Sequence, residues 1–173
     1  MRCLSYITGL MFFCCIIISC GEKSTESARS LVYFSSFESA ADTTGWEGIT
    51  KEMFVCDPAP GGGNLSLYIG GECIQPAAYI DLPSQTDNDN YRISCWGKVA
   101  QVSQPGRIVL AIAEEDEERR QIQLKVDSED WTFYESKEFL HCPIDHTLRL
   151  EIWIGGFTPA YMFIDCIKIE KVK

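Results

Sequence analysis

From Leu31 onward, short apolar runs alternate with polar turn segments along the chain. Apolar side chains recur at every second position between Ile122 and Val126, and again between Leu148 and Ile154. A period of two places successive side chains on opposite faces and is typical of a half-buried β-strand. No stretch of helical length has a period near 3.6 residues, so the pattern predicts a protein built of strands.

About ten strands are predicted, separated by turn sequences rich in Gly, Pro, Asn and Asp. They are Leu31–Phe37, Ile49–Val55, Asn64–Ile69, Ala77–Leu82, Tyr91–Val99, Arg107–Ala113, Arg120–Val126, Trp131–Phe139, Thr147–Ile154 and Tyr161–Lys171. Short strands at regular spacing favour an all-β domain. The predicted fold is a single-domain, two-sheet antiparallel β-sandwich, a jelly roll, over residues 31–173.

The N-terminus has a different pattern. Arg2 gives it a positive charge, and residues 10–18 are an unbroken apolar run. Such a run suits the core of a signal peptide and is shorter than the roughly 20 residues that span a bilayer. It ends in IISC, which resembles the bacterial lipobox and ends at Cys20. We therefore expect a lipoprotein signal peptide over residues 1–19 and acylation of Cys20, with an ordinary secretory signal as the alternative.

A lipidated Cys20 would hold the protein at a membrane permanently, because several acyl chains exceed what stable anchoring requires. Residues 20–30 then form the lipidated cysteine and a flexible polar tether. Gly21, directly after the cysteine, provides no inner-membrane retention signal. The expected location is the cell envelope, at the outer membrane.

The chain is acidic, with 25 Asp and Glu against 15 Lys and Arg and a formal net charge of −10. An acidic surface repels phosphate backbones and anionic headgroups, which argues against nucleic acid and direct lipid binding. Neutral sugars, cations and basic proteins remain as partners.

The chain has 9 cysteines, of which three belong to the predicted signal peptide and one is the lipidated residue. An odd number remains, in a compartment that permits disulfides. Cys56 and Cys73 bracket a Gly-rich turn and one strand, so they are the predicted pair. The other three are Cys95, Cys142 and Cys166.

Several short motifs follow one another in a characteristic order. They are Ser36-Phe37-Glu38, Gly45-Trp46, GNLSL at 63–67, YRISCWGKV at 91–99, Trp131 and Ile164-Asp165. In this order they resemble jelly-roll carbohydrate-binding modules of the galactose-binding-like kind, over residues 31–173. The resemblance implies a domain that holds a glycan without cleaving it and places Trp131 in the core. The same fold also serves structural and protein-binding domains.

The resemblance also implies a structural calcium ion that ties the first strand to the last. Its ligands would be Glu38 and Asp165, with the side chain of Asn64 and carbonyls near Lys51 completing the oxygen shell. Asp165 has the strand parity of Phe163 and is expected to point inward, and a buried carboxylate needs a cation or several donors. A turn cap or an ion pair is the alternative role for Asp165.

The candidate sugar platforms are aromatic side chains on the solvent face of two strands. Parity turns Arg92 and Trp96 outward in one strand, and Arg149, Glu151 and Trp153 outward in another. A flat ring stacks on the apolar face of a sugar, while charged neighbours bind its hydroxyl groups. One concave face with both tryptophans is therefore predicted, unless loops or bulges bury them.

A second set of aromatic residues lies in predicted loops, at Trp46, Phe157 and Tyr161. Catalytic groups are few. The acidic run 114–118 is predicted to be a solvated hairpin turn, not a pair of catalytic carboxylates, and no nucleophile with a base can be assembled. The chain is therefore not expected to be an enzyme. Two hypotheses remain: a membrane-anchored lipoprotein that binds a polysaccharide or oligosaccharide, and a structural or protein-interaction lipoprotein of the envelope.

Overall fold

The computed structural model describes most of the chain after the predicted tether. The described residues are 29–71, 75–100, 104–113, 119–155 and 160–173. The predicted signal peptide, Cys20, most of the tether and the acidic run 114–118 lie outside these residues.

The described residues form strands joined by turns, with two short 3-10 turns at Ala40–Thr43 and Lys51–Met53. The strands are β1 (Arg29–Ser35), β2 (Trp46–Glu47), β3 (Phe54–Val55), β4 (Ser66–Gly71), β5 (Ala78–Asp81), β6 (Asp89–Val99), β7 (Gly106–Ile112), β8 (Gln121–Val126), β9 (Thr132–Glu135), β10 (Leu140–Cys142), β11 (Leu148–Trp153) and β12 (Ala160–Val172). In the part of the chain so described, no helix is long and apolar enough to cross a membrane.

The strands form two antiparallel sheets. A five-stranded sheet has the order β2-β5-β11-β7-β8, and a seven-stranded sheet has the central order β10-β6-β12-β4-β3. In the larger sheet β1 also pairs with β12, and β9 also pairs with β6. The prediction of an all-β, two-sheet sandwich is confirmed.

The core lies between the two sheets and is lined by the apolar side chains that the alternating pattern identified. Ile122 and Leu124 of β8 are buried in it, as are Leu150 and Ile152 of β11. Each fully buried aliphatic side chain contributes about 1.5–3 kcal/mol through removal of its apolar surface from water. The period of two therefore identified the inward faces of these strands correctly.

Two predicted strands differ from the observed ones. The middle of the stretch predicted as Ile49–Val55 is the 3-10 turn Lys51–Met53, and only its last two residues form a strand, β3. Of the stretch predicted as Trp131–Phe139, only Thr132–Glu135 forms a strand, β9; β10 begins after it, at Leu140, and both strands pair with β6. Directly after β9, the backbone N–H of Ser136 donates a hydrogen bond to the carbonyl of Ile93, and the Ser136 hydroxyl oxygen accepts one from the Ile93 N–H.

The parity of β12 also changes along its length. Its register against β6 shifts between Asp165 and Lys168. Ile167, beyond Asp165, lies in the core, whereas Phe163 packs against Tyr68 on the outer side of the sheet. The predicted inward face shared by Phe163 and Asp165 is therefore wrong, because a bulge separates the two halves of the strand.

Candidate functional site

The two predicted tryptophan platforms lie on opposite outer faces of the sandwich. Trp96 belongs to β6 of the seven-stranded sheet, and Trp153 belongs to β11 of the five-stranded sheet. Each points away from the core, because its chain neighbours Cys95 and Ile152 are core residues. The prediction that one face carries both is wrong, since parity gives a side chain's direction relative to its own sheet only.

The outer face of the five-stranded sheet has small side chains along its centre. Val109 and Ala111 of β7 are outside the core cluster, yet they are 3% and 0% exposed. Their cross-strand partners are Glu151 and Arg149 on one side, and Gln123 and Gln121 on the other. Small side chains therefore occupy the centre of this face, and longer side chains from both neighbouring strands cover them; we call this outer face of the five-stranded sheet the cleft.

Glu151 is the fixed carboxylate of this cleft. It is only 2% exposed, although it points away from the core. Its Oε1 accepts a hydrogen bond of 2.7 Å from Arg119, and its Oε2 accepts one of 2.8 Å from the indole N–H of Trp153. Charge-assisted hydrogen bonds of this kind are stronger than neutral ones. They hold the Trp153 ring in one orientation.

Arg149 forms a second fixed pair beside it. The guanidinium donates to both carboxylate oxygens of Asp81, at 2.6 and 2.7 Å, and lies 4.6 Å from the ring centre of Tyr79. The hydrogen bonds to Asp81 raise the pKa of Arg149 above its ordinary value, so it stays charged. Next to Tyr79, the Glu47 carboxylate raises the pKa of the phenol.

The rim of the cleft carries exposed amides and cations. Gln121, Gln123 and Lys125 alternate along the outer side of β8 and are exposed. Arg107 is also exposed, and its guanidinium lies 5.5 Å from the centre of the Trp153 ring. The face therefore combines aromatic rings with oriented charges and free amide groups. Sequence analysis missed Tyr79, Arg107 and Arg119, although strand parity points to Tyr79 and Arg107.

The outer face of the seven-stranded sheet is built differently. Trp96 is half-buried and packs edge-on against Phe133, with ring centres 5.7 Å apart. Arg92 donates to Glu135 at 3.0 Å, and its guanidinium lies 4.7 Å from the Phe139 ring centre. Both side chains point outward as predicted, but they mainly contact neighbours on their own sheet.

Further along this face, aromatic rings pack on one another. Tyr68 stacks on Tyr161 with ring centres 5.6 Å apart, and Phe163 lies 4.9 Å from Tyr68. Trp131 joins this layer: it contacts Phe163 edge-on, and its indole N–H donates to Asp57 at 3.3 Å. The expectation of a core Trp131 is wrong, because this residue precedes β9 and its ring lies against Phe163 and Lys98 on the outer side of the sheet.

The predicted loop aromatics do not form a site among the described residues. Trp46 is a core residue, and its indole N–H donates to the Tyr33 hydroxyl at 2.7 Å. Tyr161 lies in β12 and not in a loop. Phe157 lies outside the described residues.

The predicted disulfide between Cys56 and Cys73 stays a prediction. Cys56 is exposed, and Cys73 lies outside the described residues.

Glu38 follows β1 and lies against the glycine-rich loop before β4. Its Oε1 accepts hydrogen bonds of 2.9 Å from the backbone N–H groups of both Asn64 and Leu65. A Cβ atom on Gly63 would overlap with the Glu38 carboxylate, and Gly63 has a φ of +95°. Only glycine allows this close approach in this conformation. The observed contact between Asn64 and Glu38 is therefore made by the backbone N–H of Asn64.

Asp165 lies against the same loop and is fully buried. Its Oδ2 accepts a hydrogen bond of 3.1 Å from the N–H of Ala59, and a Cβ atom on Gly62 would overlap with it. Its Oδ1 is buried without a hydrogen-bond partner among the described residues. Burial raises the pKa of Asp165, and the nearby charge of Glu38 raises it further.

Solved structures of carbohydrate-binding modules have this fold. The CBM22-1 xylan-binding domain of Paenibacillus barcinonensis Xyn10C matches with a TM-score of 0.61 and 19% identity, over 85% of this chain and 97% of that one. The C-terminal family 22 carbohydrate binding module of Clostridium thermocellum Xyn10B matches with a TM-score of 0.57 and 15% identity, over 82% and 93%.

A structure of the CBM22-1 and GH10 modules of Clostridium thermocellum Xyn10B matches with a TM-score of 0.58 and 16% identity, over 83% of this chain. This chain spans only 29% of that protein. No protein-family model and no curated protein matches the sequence. At these identities the comparisons show the fold: a β-sandwich of the carbohydrate-binding-module type.

The raised pKa of Asp165 predicts how its replacement changes stability with pH. The folded protein holds this proton more tightly than the unfolded chain, whose Asp pKa is about 3.9. The residue's contribution to the free energy of unfolding therefore falls as pH rises from about 4 through the raised value. We therefore expect the free energy of unfolding of Asp165→Asn, relative to that of the wild type, to increase steadily from pH 4 to pH 7. Urea denaturation in EDTA measures this difference.

Asp130→Asn is the matched control, because Asp130 is exposed. Its stability relative to the wild type should change little with pH. A pH-independent difference for Asp165→Asn would show that Asp165 is not destabilised by ionisation.

Proposed function

We propose that this chain is a lipid-anchored, non-catalytic glycan-binding protein, and that the glycan binds in the cleft on the five-stranded sheet. The observation that carries the proposal is the fixed Trp153–Glu151–Arg119 arrangement beside Tyr79 and Arg149. An aromatic ring with oriented polar groups around it is the combination that sugar recognition requires.

Preorganisation strengthens this proposal. Glu151 and Asp81 orient the Trp153 ring and the Arg149 guanidinium before any ligand arrives. Side chains that are already ordered lose less conformational entropy on binding. The exposed amides of Gln121 and Gln123 add donors and acceptors for sugar hydroxyl groups along the cleft.

Structures with the same fold support a polysaccharide as the partner. The Paenibacillus domain is described as xylan-binding, and the Clostridium CBM22-1–GH10 structure as complexed with xylohexaose. The proposal assigns Trp153, Arg149 and Glu151 to the sugar. It leaves Trp96 and Arg92 outside the site, because both lie on the opposite face of the sandwich. There the Trp96 ring packs against Phe133, and Arg92 pairs with Glu135.

The anchor is the second part of the proposal. The lipobox-like sequence at residues 17–20 and the polar stretch that follows it support cleavage before Cys20 and acylation of that thiol. A tether of about ten residues would let the sandwich turn toward polymers near the outer membrane. Glycan binding in the cleft does not require this anchor.

A calcium ion beside Asp165 is the third part. The buried Oδ1 of Asp165, which has no hydrogen-bond partner within the geometric limits of such a bond among the described residues, and the Glu38 carboxylate lie against one loop, and such oxygen groups fit a hard cation. Among the described residues, no group of three or more His, Cys, Asp or Glu side chains could hold a metal, so backbone carbonyls would complete the shell. Bound calcium would supply the positive charge that a buried carboxylate requires.

A protein-docking function is the second candidate. It is favoured by exposed apolar side chains on or beside the seven-stranded sheet: Phe34, Phe133, Phe139 and Tyr161. An envelope protein that covered them would bury an apolar surface without using the cleft. The two functions use different faces, so substitutions separate them.

Removal of the Trp153 ring should abolish most glycan binding. We expect Trp153→Ala to weaken binding at least about tenfold, because a stacking platform and its hydrogen bond are lost. Isothermal titration of the full chain in a polyoxyethylene detergent against xylan and other soluble polysaccharides measures the change. Trp96→Ala is the matched control and should bind as the wild type does. An equal loss in both variants, with thermal melts unchanged, would refute the assignment to one face.

Calcium should stabilise the chain through Asp165. We expect saturating calcium to raise the melting temperature of the wild type by about 5 °C relative to EDTA, since only the folded state assembles the site. The increase should disappear in Asp165→Asn and in Glu38→Gln, and persist in Asp130→Asn. An identical increase in all four proteins, measured by differential scanning fluorimetry, would locate calcium elsewhere.

Acylation should depend on Cys20. In a bacterial host, Cys20→Ala should leave the protein without lipid and shift it from the membrane fraction to the soluble fraction. Fractionation and intact-mass spectrometry test this, with Cys15→Ala as the control that keeps the lipid. A Cys20→Ala protein that still carries acyl chains would contradict the proposed anchor.

A further inference from the structure

We infer that the glycan bound by this cleft carries carboxylate groups, as a polymer containing uronic acids does; the inference rests on the proposed glycan-binding function. It starts from Arg107. This residue is the cross-strand partner of Trp153, is exposed, and holds its guanidinium 5.5 Å from the ring centre. No carboxylate pairs with it among the described residues.

The other two arginines of the cleft differ from Arg107 in this respect. Arg149 is bound to Asp81, and Arg119 is bound to Glu151, each at 2.7 Å or less. Their charges are therefore compensated within the protein. Arg107 is the arginine of the cleft whose positive charge is available to a ligand.

The end of the cleft at Trp153 is more basic than the chain as a whole. Lys125 is the cross-strand partner of Arg107 on its other side. Within the described part of the chain, Lys125 pairs with Asp127, two residues along the chain, and both side chains are largely exposed, at 65% and 47%. An ion pair so exposed contributes little and exchanges readily.

A local cation is what an acidic protein needs to bind an acidic polymer. The net charge of −10 repels an anion at a distance. A guanidinium binds a carboxylate through two parallel hydrogen bonds, which outweighs weak, screened repulsion. Because Arg107 has no ion pair with any described residue, its turn from the ring to a uronate at Trp153 would break only the ring contact.

Carboxyl reduction separates this inference from the proposed function. We would measure affinity-gel retardation of the full chain in detergent by glucuronoxylan, polygalacturonate and alginate, and by each polymer after its carboxyl groups are reduced to alcohols. At least one acidic polymer should bind, and reduction should weaken its binding about tenfold. Arg107→Gln should cause a similar loss for the acidic polymer and almost none for the reduced one.

Lys168→Gln is the matched control. Lys168 is an exposed cation 5.7 Å from the Phe34 ring on the opposite sheet, so the variant changes net charge equally. Equal binding of the acidic and reduced polymers would overturn the inference and leave glycan binding standing. Equal losses in both variants would also overturn it, as non-specific attraction. Failure of every polymer in both forms to retard the chain would overturn the inference and the proposed function together.

Discussion

The fold depends on the long strand β12 and on the interruption in it at Asp165. This strand pairs with β6 on one side, and with β4 and then β1 on the other. The change from β4 to β1 occurs where the register shifts and Cys166 adopts a φ of +50°. A carboxylate is buried at that point, and the glycine-rich loop before β4 closes over it. The stability of the larger sheet at this point therefore depends on how the buried Asp165 carboxylate is compensated, as well as on side-chain packing.

The two outer faces illustrate how the same strand pattern produces different surfaces. On the seven-stranded sheet the outward rings stack on one another, and lysine and arginine side chains lie over them. On the five-stranded sheet small residues occupy the centre, and ion pairs hold the longer side chains around it. The first surface has two groups of packed aromatic rings. The second combines ordered ion pairs with exposed amide groups, and oriented polar groups of this kind are why the sugar site is proposed there.

Charge compensation within the cleft also explains how an acidic domain can carry arginines at the proposed binding surface. Asp81 and Glu151 neutralise and orient two guanidinium groups. These ion pairs keep the side chains rigid before a ligand binds. Arg107, at the end of the cleft, contacts the Trp153 ring and pairs with no carboxylate of the described residues. In the proposed site, Arg119 and Arg149 are therefore held by carboxylates, and Arg107 is the arginine proposed to meet the ligand.

The sequence by itself determined the strand content, the inward and outward sides of β6, β8 and β11, and the outward direction of Trp96, Arg92, Trp153, Arg149 and Glu151. Alternation carries this information because it is local: a period of two relates each residue to its own strand. Only the tertiary structure decided that Trp96 and Trp153 lie on different sheets, that Trp46 is in the core and Trp131 outside it, and that a bulge reverses β12 near Asp165. Those outcomes depend on which strands pair and where a ladder breaks, and such long-range choices have no signature within the strand that they affect.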